Sequence, residues 1–326
     1  MFRIGLIGAG WVTQHHLLAW QRQGARAKVT AIADPARERA EQRAEAFAIE
    51  RVYDDARAML EAGALDAVDI AAPREFHAQY VRAAAARGLP ILCQKPLAPT
   101  YDEARELARE VAGHTRLMVH ENWRFRAYYR QIAAWLKAGR VGRVQQAQMT
   151  LFTSGLLADA QGAYPALERQ PFIATLDRAL VMEVLIHHID ALRFLLGDLT
   201  LEHSRIGHGC SAMRGEDRAS LTLTGADGAV VHLMASFTVH GAAPAQSDKL
   251  TIVGERGTIT LDGPLLSYRG AEAEDLRYDL QACYIDSYAG AIEHFVTALA
   301  GGTPFETAPD DNLRTLEIVE AIYARG

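Results

Sequence analysis

Ile4-Gly5-Leu6-Ile7-Gly8-Ala9-Gly10-Trp11-Val12-Thr13 decides the fold. An apolar, β-rich run ends in two glycines one residue apart, and a helical pattern begins directly after them. Residues 4–7 predict a buried strand, and 13–23 predict a helix closed by Gly24. Gly8 permits the tight turn between the two. Gly10 removes a side chain where a pyrophosphate approaches the backbone, and the helix N-terminus then offers unpaired N–H groups and a partial positive charge. The third glycine of a G-x-G-x-x-G pattern is replaced by Thr13, so the match is incomplete.

The same strand–helix unit recurs downstream. Residues 29–33 predict a second strand, followed by a helix with Pro35 near its first turn and Ala40, Ala44 and Phe47 on one face. Residues 54–61 predict a short capped helix, 67–72 a buried strand, and 76–87 a helix ended by Gly88. A strand at 90–93, a capping box at Thr100-Tyr101-Asp102-Glu103 and a strand at 117–120 complete the series. Such alternation predicts a doubly wound parallel sheet, the Rossmann arrangement. Asp34 closes the second strand, near the spacing at which an acidic residue receives the adenosine ribose hydroxyls. Gly8, Gly10, Trp11, Val12 and Asp34 are therefore the expected cofactor contacts. Asp34 would repel a 2′-phosphate, which favours NAD over NADP, and Arg37 and Arg39 read as solvated helix-face charges.

The pattern changes after Arg140. Residues 144–153, 220–223, 229–239 and 249–261 predict strands, with turn signals at Asp227-Gly228 and Glu255-Arg256-Gly257. A helix at 181–196 interrupts them, and two more, near 285–299 and 312–324, follow. These elements predict an α+β second domain with a mostly antiparallel sheet. The boundaries read as 1–121 and 122–326, with the last helix a candidate for packing back on the first domain.

Composition narrows the function classes. Of 326 residues, 49% are hydrophobic and 23% charged, which suits a globular two-domain chain and not a disordered one. The net charge of −6, without a basic run, argues against nucleic acid and anionic membrane as partners. No apolar stretch approaches the ~20 residues that span a bilayer. Cys93, Cys210 and Cys283 are odd in number and far apart. They argue against a disulfide framework and a zinc cluster, and for a reducing cytoplasm.

Three stretches carry candidate chemistry. Ala72-Pro73-Arg74-Glu75-Phe76-His77 follows the fourth predicted strand and Cys93-Gln94-Lys95-Pro96 the fifth, both at carboxyl ends, where open α/β sheets bind ligands. The proline after Lys95 restricts its backbone and so the direction of its side chain, although an ordinary surface lysine suits the position equally well. On the helix at 181–196, Glu183, His187 and Asp190 fall within roughly 60° of one another, opposite Leu185, Ile186, Ile189, Leu192 and Leu196. A carboxylate four residues from a histidine holds the imidazole in one tautomer, as a general base requires. The alternative is an exposed pair contributing a few tenths of a kcal/mol. Adjacent histidines on a helix, as at His15-His16 and His187-His188, point about 100° apart, which argues against a metal site.

Taken in order, these pieces resemble the Gfo/Idh/MocA oxidoreductases, named for glucose–fructose oxidoreductase and inositol dehydrogenase. The matching residues are Gly8, Gly10, His16, Asp34, Pro73, His77, Lys95-Pro96, Glu183, His187, Asp190 and the Glu255-Arg256-Gly257-Thr258 turn. The likeness spans essentially the whole chain. It implies a Rossmann domain followed by a domain built on a large open sheet, NAD as cofactor, and a hydride exchanged with a sugar, polyol or sugar acid. By the same resemblance Lys95 hydrogen-bonds the reacting substrate oxygen, His187 takes or returns the hydroxyl proton, and Glu183 orients it. Pro73, His77, Gln94 and Lys95 line the cofactor. Lys95, Trp123, Arg124, His187 and Asp190 face the substrate, with Trp123 stacking on a sugar face and Arg124 binding a hydroxyl or carboxylate. A packing cluster is the alternative for Trp123 and Arg124. The chain departs from the family at Gln94, where glutamate is usual, at Arg74, where asparagine is usual, and at Glu183, where aspartate is frequent. The resemblance also implies a cytoplasmic homodimer or homotetramer. Two other readings share the fold: a non-catalytic, dinucleotide-sensing regulator, and a glycoside-cleaving enzyme that uses NAD transiently.

Overall fold

The computed structural model describes residues 1–245 and 247–325, which divide into two compact units. The first comprises Met1–Arg126 and Tyr284–Leu316. Its elements run β1 (Phe2–Ile7), α1 (Thr13–Gln21), β2 (Ala27–Ala33), α2 (Arg37–Phe47), β3 (Arg51–Tyr53), α3 (Ala56–Glu61), β4 (Ala67–Ile70), α4 (His77–Ala85), β5 (Ile91–Gln94), α5 (Tyr101–Val111) and β6 (Leu117–His120). Among the described residues the six strands form one sheet, ordered β3-β2-β1-β4-β5-β6, with every neighbouring pair parallel. The order reverses direction beside β1, so the carboxyl ends of β1 and β4 splay their loops apart and leave a crevice for a ligand. Local signals hold where they were expected. Asp55 caps α3 by accepting from the Arg57 N–H at 2.9 Å, and Thr100 caps α5 by accepting from the Glu103 N–H at 3.3 Å.

The second unit comprises Ala127–Cys283 and residues 317–325. It contains α6 (Ala127–Lys137), β7 (Val144–Phe152), α7 (Pro165–Arg169), α8 (Ile186–Leu196), β8 (Leu199–Gly207), β9 (Arg218–Gly225), β10 (Val230–Ser236), β11 (Lys249–Gly254), β12 (Thr258–Asp262), β13 (Leu265–Arg269) and β14 (Ala273–Arg277). Its eight strands order as β14-β13-β12-β11-β7-β10-β9-β8. Only the β7–β10 pair is parallel among these described strands. Strict alternation of buried and open positions in β9 and β10 marks a sheet covered on one face. The expected strand at 249–261 is a hairpin, because the Glu255-Arg256-Gly257 turn lets Gly254 N–H bond the Gly257 carbonyl at 2.9 Å.

Two helices remain, α9 (Leu280–Gly301) and α10 (Pro309–Arg325). From Tyr284 onward α9 belongs to the first unit, where Tyr288, Ile292, Phe295 and Val296 join Ile4 and Leu6 of β1, Leu17 and Trp20 of α1, and Ile32 of β2 in one core. Each large apolar side chain buried there is worth about 1.5–3 kcal/mol. Set against boundaries at 1–121 and 122–326, the first unit thus runs five residues further, to Arg126, and recovers a later segment. The physical reason is that the apolar face of α9 supplies the cover that one side of the sheet requires. Among the described residues no helix is long and apolar enough to cross a membrane.

Candidate active site

In the first unit, the carboxyl ends of the strands gather the motif residues. Gly8 has φ +108°, and an added Cβ would lie 2.5 Å from the Ala71 carbonyl oxygen. Its N–H donates to the Ala33 carbonyl and the Ala71 N–H donates to Ile7, both at 2.8 Å, so the ends of β1, β2 and β4 are tied together. Gly8 is therefore demanded by the chain itself. Gly10 is not: an added Cβ there would meet no atom within 4 Å. A bare, unobstructed backbone before α1 has the room that a pyrophosphate needs. Thr13, at the position of the third glycine, is buried, and its hydroxyl donates to the Gly8 carbonyl at 3.3 Å. Trp11 is 50% exposed and stands edge-on to His15. Val12 is half-buried beside it.

Asp34 sits at the end of β2 with both oxygens engaged. One accepts from the Ala9 N–H at 2.7 Å, inside the glycine turn, and the other from the Ala36 N–H at 2.8 Å. The carboxylate is thereby fixed in direction next to Gly8 and Gly10. Arg37 is paired with Glu41 four residues on at 2.8 Å and stays exposed.

The loops after β4 and β5 are joined by His77. Its ring faces the Pro96 carbonyl through Nδ1 at 2.8 Å and the Ala72 carbonyl through Nε2 at 2.9 Å. The side chain is buried, and burial holds its pKa below the ordinary histidine value. A neutral ring has one N–H to donate, so His77 hydrogen-bonds one of these two loop carbonyls at a time while its ring fills the space between the loops. Pro73 is exposed at the start of one loop, and Lys95 is half-buried at the start of the other, joined to Pro96 by a cis peptide. Gln94 is buried: its Oε1 accepts from the Lys95 N–H at 2.8 Å, and its Nε2 lies 3.0 Å from His16 Nε2. Behind it, His16 Nδ1 and Trp20 Nε1 both meet Asp69 Oδ2, at 2.8 and 2.7 Å. Sequence reasoning took Asp69 for part of an apolar strand and Trp20 for part of a helix. The one available signal was an acidic residue inside an otherwise apolar run, Ala67-Val68-Asp69-Ile70.

Arg124, expected at the substrate or in a packing cluster, lies in the first unit. Its guanidinium donates to Asp311 at 2.6 Å and to the Glu306 carbonyl at 3.3 Å, and the side chain is buried. Trp123 is 5% exposed, with the Arg126 guanidinium 3.6 Å from its ring centroid. Both residues pack the first unit, because a buried guanidinium must be paired where it is desolvated.

In the second unit, the predicted helix at 181–196 has two parts. Leu180–Leu185 form a π-helical turn, and α8 begins at Ile186, whose N–H reaches back to the Val181 carbonyl. The 100° spacing therefore does not hold between Glu183 and His187, since a π turn takes more than four residues to close. His187 is 8% exposed, Asp190 is fully buried and Glu183 is half-buried. The turn is anchored by Glu216, a buried carboxylate that accepts from the Val181 N–H at 2.9 Å and the Tyr323 hydroxyl at 2.7 Å. The neighbouring His188 points elsewhere, to Asp248 at 3.1 Å, which also accepts from Tyr129 at 2.9 Å.

Comparison with known proteins matches both parts of the chain. Residues 2–121 fit the model described as oxidoreductase family, NAD-binding Rossmann fold, and residues 129–260 fit the GFO/IDH/MocA C-terminal domain. A D-apiose dehydrogenase from Paraburkholderia graminis is 32% identical, covering 99% of this chain and 87% of its own length. A second D-apiose dehydrogenase, from Rhizobium rhizogenes, is 30% identical over 98% of this chain and 93% of its own. Among solved structures, an oxidoreductase from Agrobacterium radiobacter in complex with NAD+, L-tartaric acid and magnesium is 29% identical, with a TM-score of 0.91 over 99% of this chain and 96% of that one.

Proposed function

The chain belongs to the GFO/IDH/MocA family of NAD-binding oxidoreductases, and from that premise we propose that it is an NAD-dependent dehydrogenase that oxidises a hydroxyl of a sugar, polyol or sugar acid. The observation that carries the cofactor half is the pairing of an unobstructed Gly10 with an Asp34 carboxylate fixed beside it. Bound NAD+ supplies the hydride acceptor. Gly8, Gly10, Trp11 and Val12 hold its pyrophosphate side, Asp34 the adenosine ribose, and Pro73 and Lys95 the nicotinamide side. His77 and Gln94 hold the loops that carry those contacts, given where their polar atoms are already spent.

The proton chemistry falls to three side chains. The Lys95 ammonium donates a hydrogen bond to the reacting oxygen and favours the charge that gathers there as the hydroxyl proton leaves. His187 accepts that proton, Glu183 orients the imidazole, and Asp190 on the same helix serves the substrate side. With NAD+ held there, its nicotinamide would supply the acceptor for the substrate hydride, which would leave a carbonyl on the substrate and the hydroxyl proton on His187. This reading extends to a cytoplasmic homodimer or homotetramer; the three cysteines, all buried and in no disulfide, suit a reducing compartment.

The test is spectrophotometric. The protein is mixed with NAD+ and a panel of aldoses, inositols and sugar acids that starts with D-apiose, and absorbance of NADH is followed in both directions. At least one member is expected to turn over, and silence across the panel with each cofactor sinks the proposal. Asp34→Ser is expected to raise the KM for NAD+ about tenfold and to narrow its lead over NADP+. An unchanged NAD+/NADP+ ratio in that variant would remove Asp34 from the ribose site.

A further inference from the structure

The buried chain of contacts behind Lys95 runs in one direction. The Lys95 N–H donates to Gln94 Oε1 at 2.8 Å, which fixes the glutamine amide with its NH2 toward His16. That NH2 lies 3.0 Å from His16 Nε2, so this nitrogen must be the acceptor. The ring proton then sits on Nδ1 and points at Asp69 Oδ2, 2.8 Å away, where Trp20 Nε1 also donates at 2.7 Å. His16, Asp69 and Trp20 are buried in the first unit, and His16 has the rings of His120 and Tyr288 at 4.3 and 5.7 Å. His15 adjoins it on α1.

Resting on the reading that Lys95 hydrogen-bonds the substrate, we propose that Gln94 is a positioning residue: its amide locks buried His16 as the neutral Nδ1–H tautomer, and through that lock holds the main chain of Lys95. A cationic His16 would neutralise Asp69 better, but its Nε2–H would oppose the amide NH2. Flipping the amide removes that clash only by turning NH2 against the Lys95 N–H, leaving two buried donors face to face. An unmet buried donor is costly because it gives up its hydrogen bond to water without gaining another. A glutamate at 94 has no such constraint. It accepts from Lys95 N–H and from His16 Nε2–H alike, so residue 94 sets the charge of the relay: neutral imidazole with Gln94, imidazolium with glutamate.

The full-length protein, labelled with 15N-histidine, tests this without any substrate. His16 is assigned from its contacts to the His120 and Tyr288 rings. One protonated nitrogen, Nδ1, and one bare nitrogen, Nε2, are expected near neutral pH. Gln94→Glu is expected to show both nitrogens protonated at the same pH. A wild-type His16 that is doubly protonated, or that carries its proton on Nε2, overturns the proposal, as does an unchanged ring in Gln94→Glu. On whichever sugar the panel reports, Gln94→Leu is expected to lower kcat about ten- to a hundredfold, with Gln94→Glu recovering most of it. Equal kcat in Gln94→Leu and wild type also overturns it. If no panel member turns over, the dehydrogenase reading fails, while the histidine spectra still judge the relay.

Discussion

Lys95→Ala is expected to cut turnover by a factor on the order of 10² or more while NAD+ still binds. The lysine stands where the β5 loop begins, half-buried, with its backbone N–H held by Gln94. Removing the ammonium takes away a donor whose contact strengthens as negative charge builds on the oxygen, so the loss falls on kcat more than on KM. Cofactor affinity is expected to change little, because the glycine turn and Asp34 lie on other strands. Stopped-flow measurement of hydride transfer, with NAD+ affinity read by fluorescence, separates the two effects. Near-normal turnover would take Lys95 out of the mechanism.

The second large effect separates two glycines that look alike in sequence. Gly8→Ala places a Cβ 2.5 Å from the Ala71 carbonyl oxygen at φ +108°, a conformation that L side chains rarely adopt. Backbone meets backbone there, so neither partner can swing aside. A loss of about 2–4 kcal/mol is expected in chemical denaturation of the apo protein. Gly10→Ala puts its methyl into open space and is expected to leave apo stability within about 1 kcal/mol. Its cost appears when NAD+ is added, as an affinity about tenfold weaker or worse. Equal stability losses in the two variants would mean that Gly10, too, serves only the turn.

The contrast shows what was legible in the residues and what was not. The parallel sheet was readable because each strand is an apolar run bounded by a turn signal, and fully buried strands need no register to be recognised. The place of Asp34 at the end of β2, beside the glycine turn, was readable because it depends on spacing along one βαβ unit. The short β3 and the strands β8, β13 and β14 were not foreseen: β8 carries Glu202, His203 and Arg205, and β14 alternates exposed with half-exposed positions at the sheet edge. The π turn before α8 was invisible, because a helical wheel assumes one period throughout, and the carboxylate that anchors it, Glu216, lies 35 residues from Val181. The partner of Arg124 was invisible for a related reason: Asp311, which accepts from its guanidinium, lies 187 residues away. The relay behind Lys95 needed three separate segments, α1, β4 and β5, to be assembled before Asp69 and Trp20 looked chemical.

The return of Tyr284–Leu316 to the first unit carries a consequence for synthesis. A ribosome that has finished Arg126 has synthesised all six strands of the parallel sheet but not Ile292, Phe295 or Val296, which seal Ile4, Leu6 and Trp20. The nascent N-terminal region must wait, with an oily flank open to water and to holding chaperones, while residues 127–283 are translated. Fragment boundaries drawn after 126 would make that waiting state permanent.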